Sequence, residues 1–345
     1  MVTRLSDIAE QAGVSEATVS RVLNGKPNVS TATRQAVLSA LDVLGYERPA
    51  RLRPQRTGLI GLIVPELTNP VFPVFAQVIE TALAASGYTS VLCTQTPGGI
   101  REDDYTDLLL ERGVAGIIVV SGMHADSTAA LDRYARLTER GLPLVLINGY
   151  REGVDAPFIS NDDAASIELG VAHLISLGHT RIGLALGQER FVPSIRKAEG
   201  FRRAVASGLG LGAAEADELI TPSLFTVEGG QAAASRLLDR GCTAICCGSD
   251  ILAIGAIRAA RQRGLRVPED VSVVGFDDSP LVPYLDPPLT TIRQPVREMS
   301  ISAVNYLLEE LNGNRVPRGE LLYRPELVVR GSTGPVARPG PVEVR

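Results

Sequence analysis

The chain has 345 residues, 45% hydrophobic and 21% charged, which is too long for one average domain and too apolar for a disordered one. Its formal charge of −5 is unevenly spread: residues 1–56 carry +3 and the remainder −8, so a basic head precedes an acidic body and the head is suited to a polyanion. No apolar run approaches the ~20 residues of a membrane span, Asp7 and Glu10 fall where a signal peptide stays apolar, and the four cysteines lack metal-ligand spacing, so a cytoplasmic protein with reduced core thiols is expected, with no membrane partner and no metal.

Residues 5–45 predict three short helices. Ser6 is expected to cap the first, which carries Ile8, Ala9 and Ala12 on one face and ends at Gly13. Ser15 caps the second, where Val19, Val22 and Leu23 recur at i, i+3 and i+4. Ser30 caps the third, whose Val37, Leu41 and Leu44 form a stripe stopped by Gly45. The second helix leaves Glu16, Ala17, Ser20, Arg21 and Asn24 on the side away from its apolar stripe. A helix, a glycine turn and a second helix with a polar face is the helix-turn-helix arrangement, in which the second helix enters the major groove of DNA.

The side chains suit that role. Arg21 can donate two hydrogen bonds to guanine O6 and N7, worth about 1–3 kcal/mol of discrimination. Ser20 and Asn24 can bond bases or phosphates, and Ala17 permits close approach or meets a thymine methyl. Glu16 can accept from a cytosine amino group or repel phosphates. Ser15, at the helix N-terminus, is counted with this face. The bland alternative is the solvated side of a small bundle, and the basic stretch that follows favours DNA.

That stretch, "YERPARLRPQRTG" at residues 46–58, has four arginines and two prolines and reads as a linker. Beyond it, "LIGLIV", "SVLCT", "GIIVV", "PLVLIN", "RIGLAL", "AICCG" and "VSVVGF" alternate with helical segments, which indicates parallel sheets covered on both faces. They are too many for one small sheet, so two doubly wound α/β subdomains are expected. A helix with Val304, Leu307, Leu308 and Leu311 is expected after a crossover at "LTTIRQP", and the Pro/Gly-rich end has no leucine heptad. An enzyme is disfavoured. No G-x-G-x-x-G opens a βαβ unit, neither a P-loop nor G-x-S-x-G is present, and His124, His173 and His179 lack H-E-x-x-H spacing.

The segment "LSDIAEQAGVSEATVSRVLNGKPNVSTATRQAVLSALDVLGY" resembles the head of the LacI/GalR family of bacterial transcriptional regulators. The similarity continues through "TGLIGLIVPELTNPVF", "HLISLGHTRIGLALG", "CGSDILAIGAIRAARQRGLRVPEDVSVVGFDDSP" and "PPLTTIRQP" to about residue 332. The resemblance implies a homodimeric repressor of a pseudo-palindromic double-stranded DNA operator. It also implies a core folded like periplasmic sugar-binding proteins, with a small-molecule effector, a carbohydrate by the chemistry of the candidate residues, between the core subdomains and no cofactor. A cytoplasmic small-molecule-binding protein without operator-specific binding is the alternative. The expected division is a head at 1–46, a linker at 47–57, a core at 58–332 and a tail at 333–345. The core subdomains are expected at about 58–158 plus 290–322 and 159–289 plus 323–332.

In the family the linker forms a helix on DNA and wedges a leucine into the minor groove. Leu52 is the matching residue, with Arg51 and Arg53 for phosphates, although the segment is short and Pro54 stops a helix two residues later. Carried over position by position, the effector contacts are Asn69 and Phe72 in "TNPVF", Phe225, Ser249 in "GSD", and Asp277 in "GFDD". The family's usual arginine is replaced by Lys197, with Arg196 beside it, so either cation is a candidate. A lysine is a point donor where an arginine is a planar fork.

Overall fold

The computed structural model describes residues 5–24, 26, 29–44, 58–95 and 98–336. Arg51, Leu52 and Arg53, with the rest of the expected linker, lie outside the described residues, as do Gly25 and Gly45. The chain forms two units, Met1–Thr57 and Gly58–Arg345.

The first unit holds α1 (Leu5–Ala12), α2 (Glu16–Leu23) and α3 (Thr31–Val43). Ser6 lies inside the first turn of α1 instead of capping it. Gly13, at φ +65°, closes that helix in the left-handed region where a side chain would be strained, and Val14 N–H reaches back to Ala9 O at 3.0 Å. Ser15 and Ser30 accept from Thr18 N–H at 3.2 Å and Thr33 N–H at 3.1 Å, as N-caps do. Val19, Val22 and Leu23 pack with Ile8, Ala9, Val37, Ala40 and Leu41 in one small core. Each large buried side chain is worth about 1.5–3 kcal/mol, and this core is what holds α2 with its polar face outward.

The second unit contains two six-stranded sheets among the described residues. The first uses β1 (Gly58–Val64), β2 (Tyr88–Thr94), β3 (Gly116–Val120), β4 (Leu144–Ile147) and β5 (Pro157–Asn161). The second uses β6 (Ile182–Leu186), β7 (Ile220–Pro222), β8 (Ala244–Cys247), β9 (Ser272–Asp277) and β10 (Thr290–Arg293). Late in the chain, β11 (Gly319–Tyr323) and β12 (Glu326–Val328) add one strand to each, giving orders β11-β5-β4-β3-β1-β2 and β12-β10-β9-β8-β6-β7. All pairings are parallel except β10 with β12. Strands β3, β4, β6 and β8 are buried along their whole length, as apolar strands covered on both faces must be.

Helices α4 (Val71–Ala85), α5 (Glu102–Glu111), α6 (Asp132–Glu139) and α12 (Val296–Leu311) cover the first sheet. Helices α7 (Asp163–Ser176), α8 (Val192–Leu209), α9 (Ala213–Glu218), α10 (Val227–Asp239) and α11 (Asp250–Gln262) cover the second. Thr290–Arg293, expected in a crossover and assigned to the first half, is instead a strand of the second sheet, buried up to Ile292 and paired in register with Val274–Asp277. Its β-branched residues extend the ladder, and the chain changes halves only at Gln294 and Pro295. The other crossings lie at Asp162 and at Arg324–Pro325, and Asp162 N–H donates to Tyr323 O at 2.8 Å.

Both sheets reverse strand order between their first strand and its neighbour, at β1/β3 and β6/β8. In open α/β sheets, ligands bind beyond the carboxyl ends of strands at such switch points. The described residues with positive φ that are not glycine are Ser121, Asn148, Asp277 and Asp278, and all stand at such ends, of β3, β4 and β9. Backbone strain of this kind gathers at functional sites.

Candidate nucleic-acid face and effector cleft

In the head, Glu16, Ala17, Arg21 and Asn24 are exposed and Ser20 half-buried, while Val19, Val22 and Leu23 are buried beneath them. Asn24 Nδ2 donates to Ser20 Oγ at 3.2 Å, so these two side chains are presented as a unit. Arg34 Nη2 donates to Lys26 O at 3.2 Å, which ties the start of α3 to the turn after α2. The N-terminus of α2, with its exposed Ser15, also offers the partial positive charge that attracts phosphate.

The core gathers a different set. Asp277 ends β9, is 6% exposed, and accepts from Gln294 Nε2 at 2.6 Å. Burial pushes its carboxyl well above the usual range, and the nearby Asp250 charge raises it further. Asp250 opens α11 and accepts from Ser279 N–H at 2.7 Å and from the hydroxyls of Ser279 and Thr291 at 2.6 Å each. Burial raises it to about 6 against those hydrogen bonds. Lys197, from α8, places its ammonium 2.6 Å from Asp163 Oδ1 and 3.9 Å from the Phe276 ring centroid. Asp163 itself is raised by burial, with Lys197 pulling the other way.

The remaining candidates are less alike. Arg196 makes a two-pronged pair with Glu320 on β11, at 2.6 and 3.0 Å. Ser249 caps α11, accepting from Leu252 N–H at 3.4 Å, and Asn69 Oδ1 accepts from Val71 N–H at 3.3 Å at the start of α4. Phe72 packs half-buried against the first core. Phe225 lies against Gly187 so closely that a Cβ there would fall 1.9 Å from the ring, and its centroid is 6.4 Å from that of Phe191. Lys197 and Asp277 thus share one buried electrostatic group, while Arg196, Ser249 and Asn69 each have a structural partner.

Sequence reasoning did not find Asp163, Gln294, Ser121 or Asn148. Asn148 Nδ2 donates to Ser121 Oγ at 3.1 Å, linking the ends of β3 and β4. The Ser-Gly and Asn-Gly dipeptides directly after apolar runs were the available signal. Nothing local marks Asp163 as the partner of a lysine 34 residues away.

The two halves also touch at the rim. Ser127 N–H donates to Arg190 O at 2.8 Å, Asp126 and Phe191 form an antiparallel bridge, and Arg190 Nε lies 3.3 Å from Asp126 Oδ2. The 3-10 turn Met123–Ala125 before Asp126 is pinned from within. Glu102 accepts from Met123 N–H at 2.8 Å, Gln95 Nε2 at 2.8 Å and the Tyr134 hydroxyl. His124 N–H donates to the Tyr134 hydroxyl oxygen at the same 2.8 Å. His179 bonds Thr243, Ser272 and Gly334, so it holds the described end of the chain. The four cysteines are free and buried, and burial pushes the thiols of Cys242 and Cys246 to about 11 and about 12. No helix among the described residues is long and apolar enough to cross a membrane.

Residues 4–49 match the family described as bacterial regulatory proteins, lacI family, and residues 171–333 match a periplasmic binding protein-like domain. Over 334 residues the chain is 64% identical to the HTH-type transcriptional regulator MalR of Streptomyces coelicolor, covering 96% of this chain and 97% of that protein. It is similar to the solved transcriptional regulator CelR–cellobiose complex, with TM-score 0.71, 31% identity, and 96% and 99% of the two chains covered. It is also similar to the lac repressor dimer bound to operator and the anti-inducer ONPF, with TM-score 0.69, 29% identity and the same coverage.

Proposed function

The chain belongs to the lacI family of bacterial regulatory proteins, and from that premise we propose a dimeric repressor whose operator affinity is set by a carbohydrate in the cleft of its core. The observation that carries the DNA half is α2: an exposed face of Glu16, Ala17, Ser20, Arg21 and Asn24 on a helix whose opposite stripe is buried. Arg21 is assigned the bidentate base contact, Ser20 and Asn24 adjoining base or phosphate contacts, and Ser15 a phosphate at the helix N-terminus. Arg51, Leu52 and Arg53 are assigned the groove-entering linker on the resemblance alone.

For the effector half, acid, amide, hydroxyl and aromatic groups at the strand ends suit a sugar, whose C–H face stacks while its hydroxyls bond. Asp277 is assigned the hydroxyl-accepting role, with Asn69, Phe72, Phe225 and Ser249 around it. The cellobiose-bound regulator supports this reading by similarity. Effector and operator binding select different arrangements of the two halves, so each changes the other's affinity by the same factor.

Selection of binding sites from a random duplex library with the full-length protein tests the operator half. A palindrome with fixed half-site spacing, bound with steep salt dependence, is expected. No enrichment, with or without a panel of sugars present, would overturn it.

A further inference from the structure

Lys197 is the one lysine of the core unit in the sequence, and it stands where the resemblance puts a ligand-contacting cation. Its geometry is different. The ammonium is 2.6 Å from Asp163, with the two side chains 6% and 5% exposed, and its other side lies over the Phe276 ring. A buried charge held this way is committed, because leaving Asp163 for another anion strands a carboxylate out of water.

Two arginines are held in the same way: Arg196 pairs with Glu320, and Arg330 reaches Asp278 at 2.6 Å. Arg293 and Arg190 make half-exposed pairs with Asp278 and Asp126. Asp163, Asp250 and Asp277 are all buried beside a single buried ammonium, and burial holds the Asp277 and Asp250 carboxyls toward their neutral forms. Two neutral polar atoms close in sequence to the pair, Ser194 Oγ, one turn before Lys197 on α8, and Asn161 Oδ1, two residues before Asp163, are buried with no hydrogen-bond partner in the protein. Such orphans suit a ligand rich in hydroxyls, each of which both donates and accepts.

We propose that Asp163, by holding Lys197, makes the cleft selective for neutral, hydroxyl-rich effectors and closes it to sugar phosphates and uronates. The proposal rests on the carbohydrate reading above and adds the charge class that this reading leaves open. A phosphate entering the site finds the Lys197 ammonium already bonded to Asp163, whereas a neutral sugar can bond Asp277 and leave the Lys197–Asp163 pair intact. Exclusion by an unpaired buried charge is a strong form of discrimination.

Calorimetric titration of the full-length protein with a panel of neutral mono- and disaccharides, beside their phosphate esters and uronic acids, tests it. At least one neutral sugar is expected to bind, with its phosphate ester at least about 100-fold weaker. A phosphate ester binding as tightly as its parent, or more tightly, overturns the proposal. No binding by any sugar, neutral or charged, overturns the carbohydrate reading on which it rests, so the two failures are distinct.

Asp163→Asn then assigns the effect: freeing Lys197 is expected to narrow the gap by about tenfold or more. An unchanged gap in the folded variant removes Asp163 from the role. Should Asp163→Asn not fold by circular dichroism, Lys197→Arg carries the same test. A guanidinium can pair with Asp163 through one edge and present the other, so the gap is expected to narrow there as well.

Discussion

Helix α2 and the cleft of the core both present polar groups on an apolar scaffold, but they hold them in opposite ways. On α2 the polar side chains face outward, with Ser20 half-buried, and the core beneath them is Val, Leu, Ile and Ala. In the cleft the polar groups are buried and bonded to one another: Lys197 to Asp163, Gln294 to Asp277, Asp250 to Ser279 and Thr291. Groups on α2 can therefore be exchanged at little cost to the fold, which suits a surface that must match a base sequence. Groups in the cleft hold the fold together, so under the proposed function a change there alters stability as well as binding.

The largest expected effect follows from that contrast. Lys197→Ala leaves Asp163 buried without its partner, and a loss of about 3–5 kcal/mol in urea unfolding of the core is expected. Replacing both residues by apolar ones of similar volume should recover most of it. A loss below about 1 kcal/mol would place the pair with ordinary surface bridges and dissolve the comparison.

Next comes a pH effect with a definite sign. Burial raises Asp250 from 3.8 to about 6, so the folded state favours its neutral form. This stabilising contribution is complete below about 3.8 and is lost as pH rises through about 6. Asp250→Asn stays neutral throughout. Relative to the parent, its melting temperature should improve between pH 4 and pH 7, by an amount corresponding to on the order of 3 kcal/mol. A constant difference would mean that Asp250 ionises without penalty, as an exposed group does.

Arg21→Ala tests the other side. A loss of about 1–3 kcal/mol of discrimination is expected at one base pair per half-site, with no change in the thermal stability of the head. Equal loss for all sequences would identify Arg21 as a phosphate anchor. A fall in stability would show that α2 shares the cleft's coupling of fold and function.

The same contrast governs what the sequence discloses. The head was legible because its signals are local: Ser15 and Ser30 cap as expected, Gly13 turns, and the buried stripe leaves the polar face of α2 by subtraction. The long apolar strands were legible by composition, whereas β5, β7, β11 and β12 are short or polar and become strands only by pairing with neighbours. Thr290–Arg293 looked like a crossover because a short strand and an extended connection share the same residues. The cleft was half legible. The resemblance pointed to Asp277 and Lys197, but not to the fact that Lys197 is bonded to Asp163 and Arg196 to Glu320. Those pairings join residues 34 and 124 positions apart, and periodicity carries no information at that range.

The smallest expected effect lies at the rim, where the two styles meet. Asp126 is held from within, through the turn that Glu102 and Tyr134 fix, and its side chain is only 6% exposed. Its partner Arg190 is 51% exposed. An ion pair with one solvated member contributes less than about 1 kcal/mol and is screened by salt. The backbone contacts of residues 126–127 with 190–191 do not depend on the Arg190 side chain. Arg190→Ala should therefore change effector affinity by no more than about fivefold, and by less at high salt. Asp126→Ala also removes the bonds that Asp126 Oδ1 accepts from Thr128 N–H at 3.0 Å and the Thr128 hydroxyl at 2.7 Å, so it should cost at least as much, and adding Arg190→Ala to it should change affinity little further. A change above about tenfold that persists in high salt would show that the exposed pair, and not the buried charge group, controls how the halves meet.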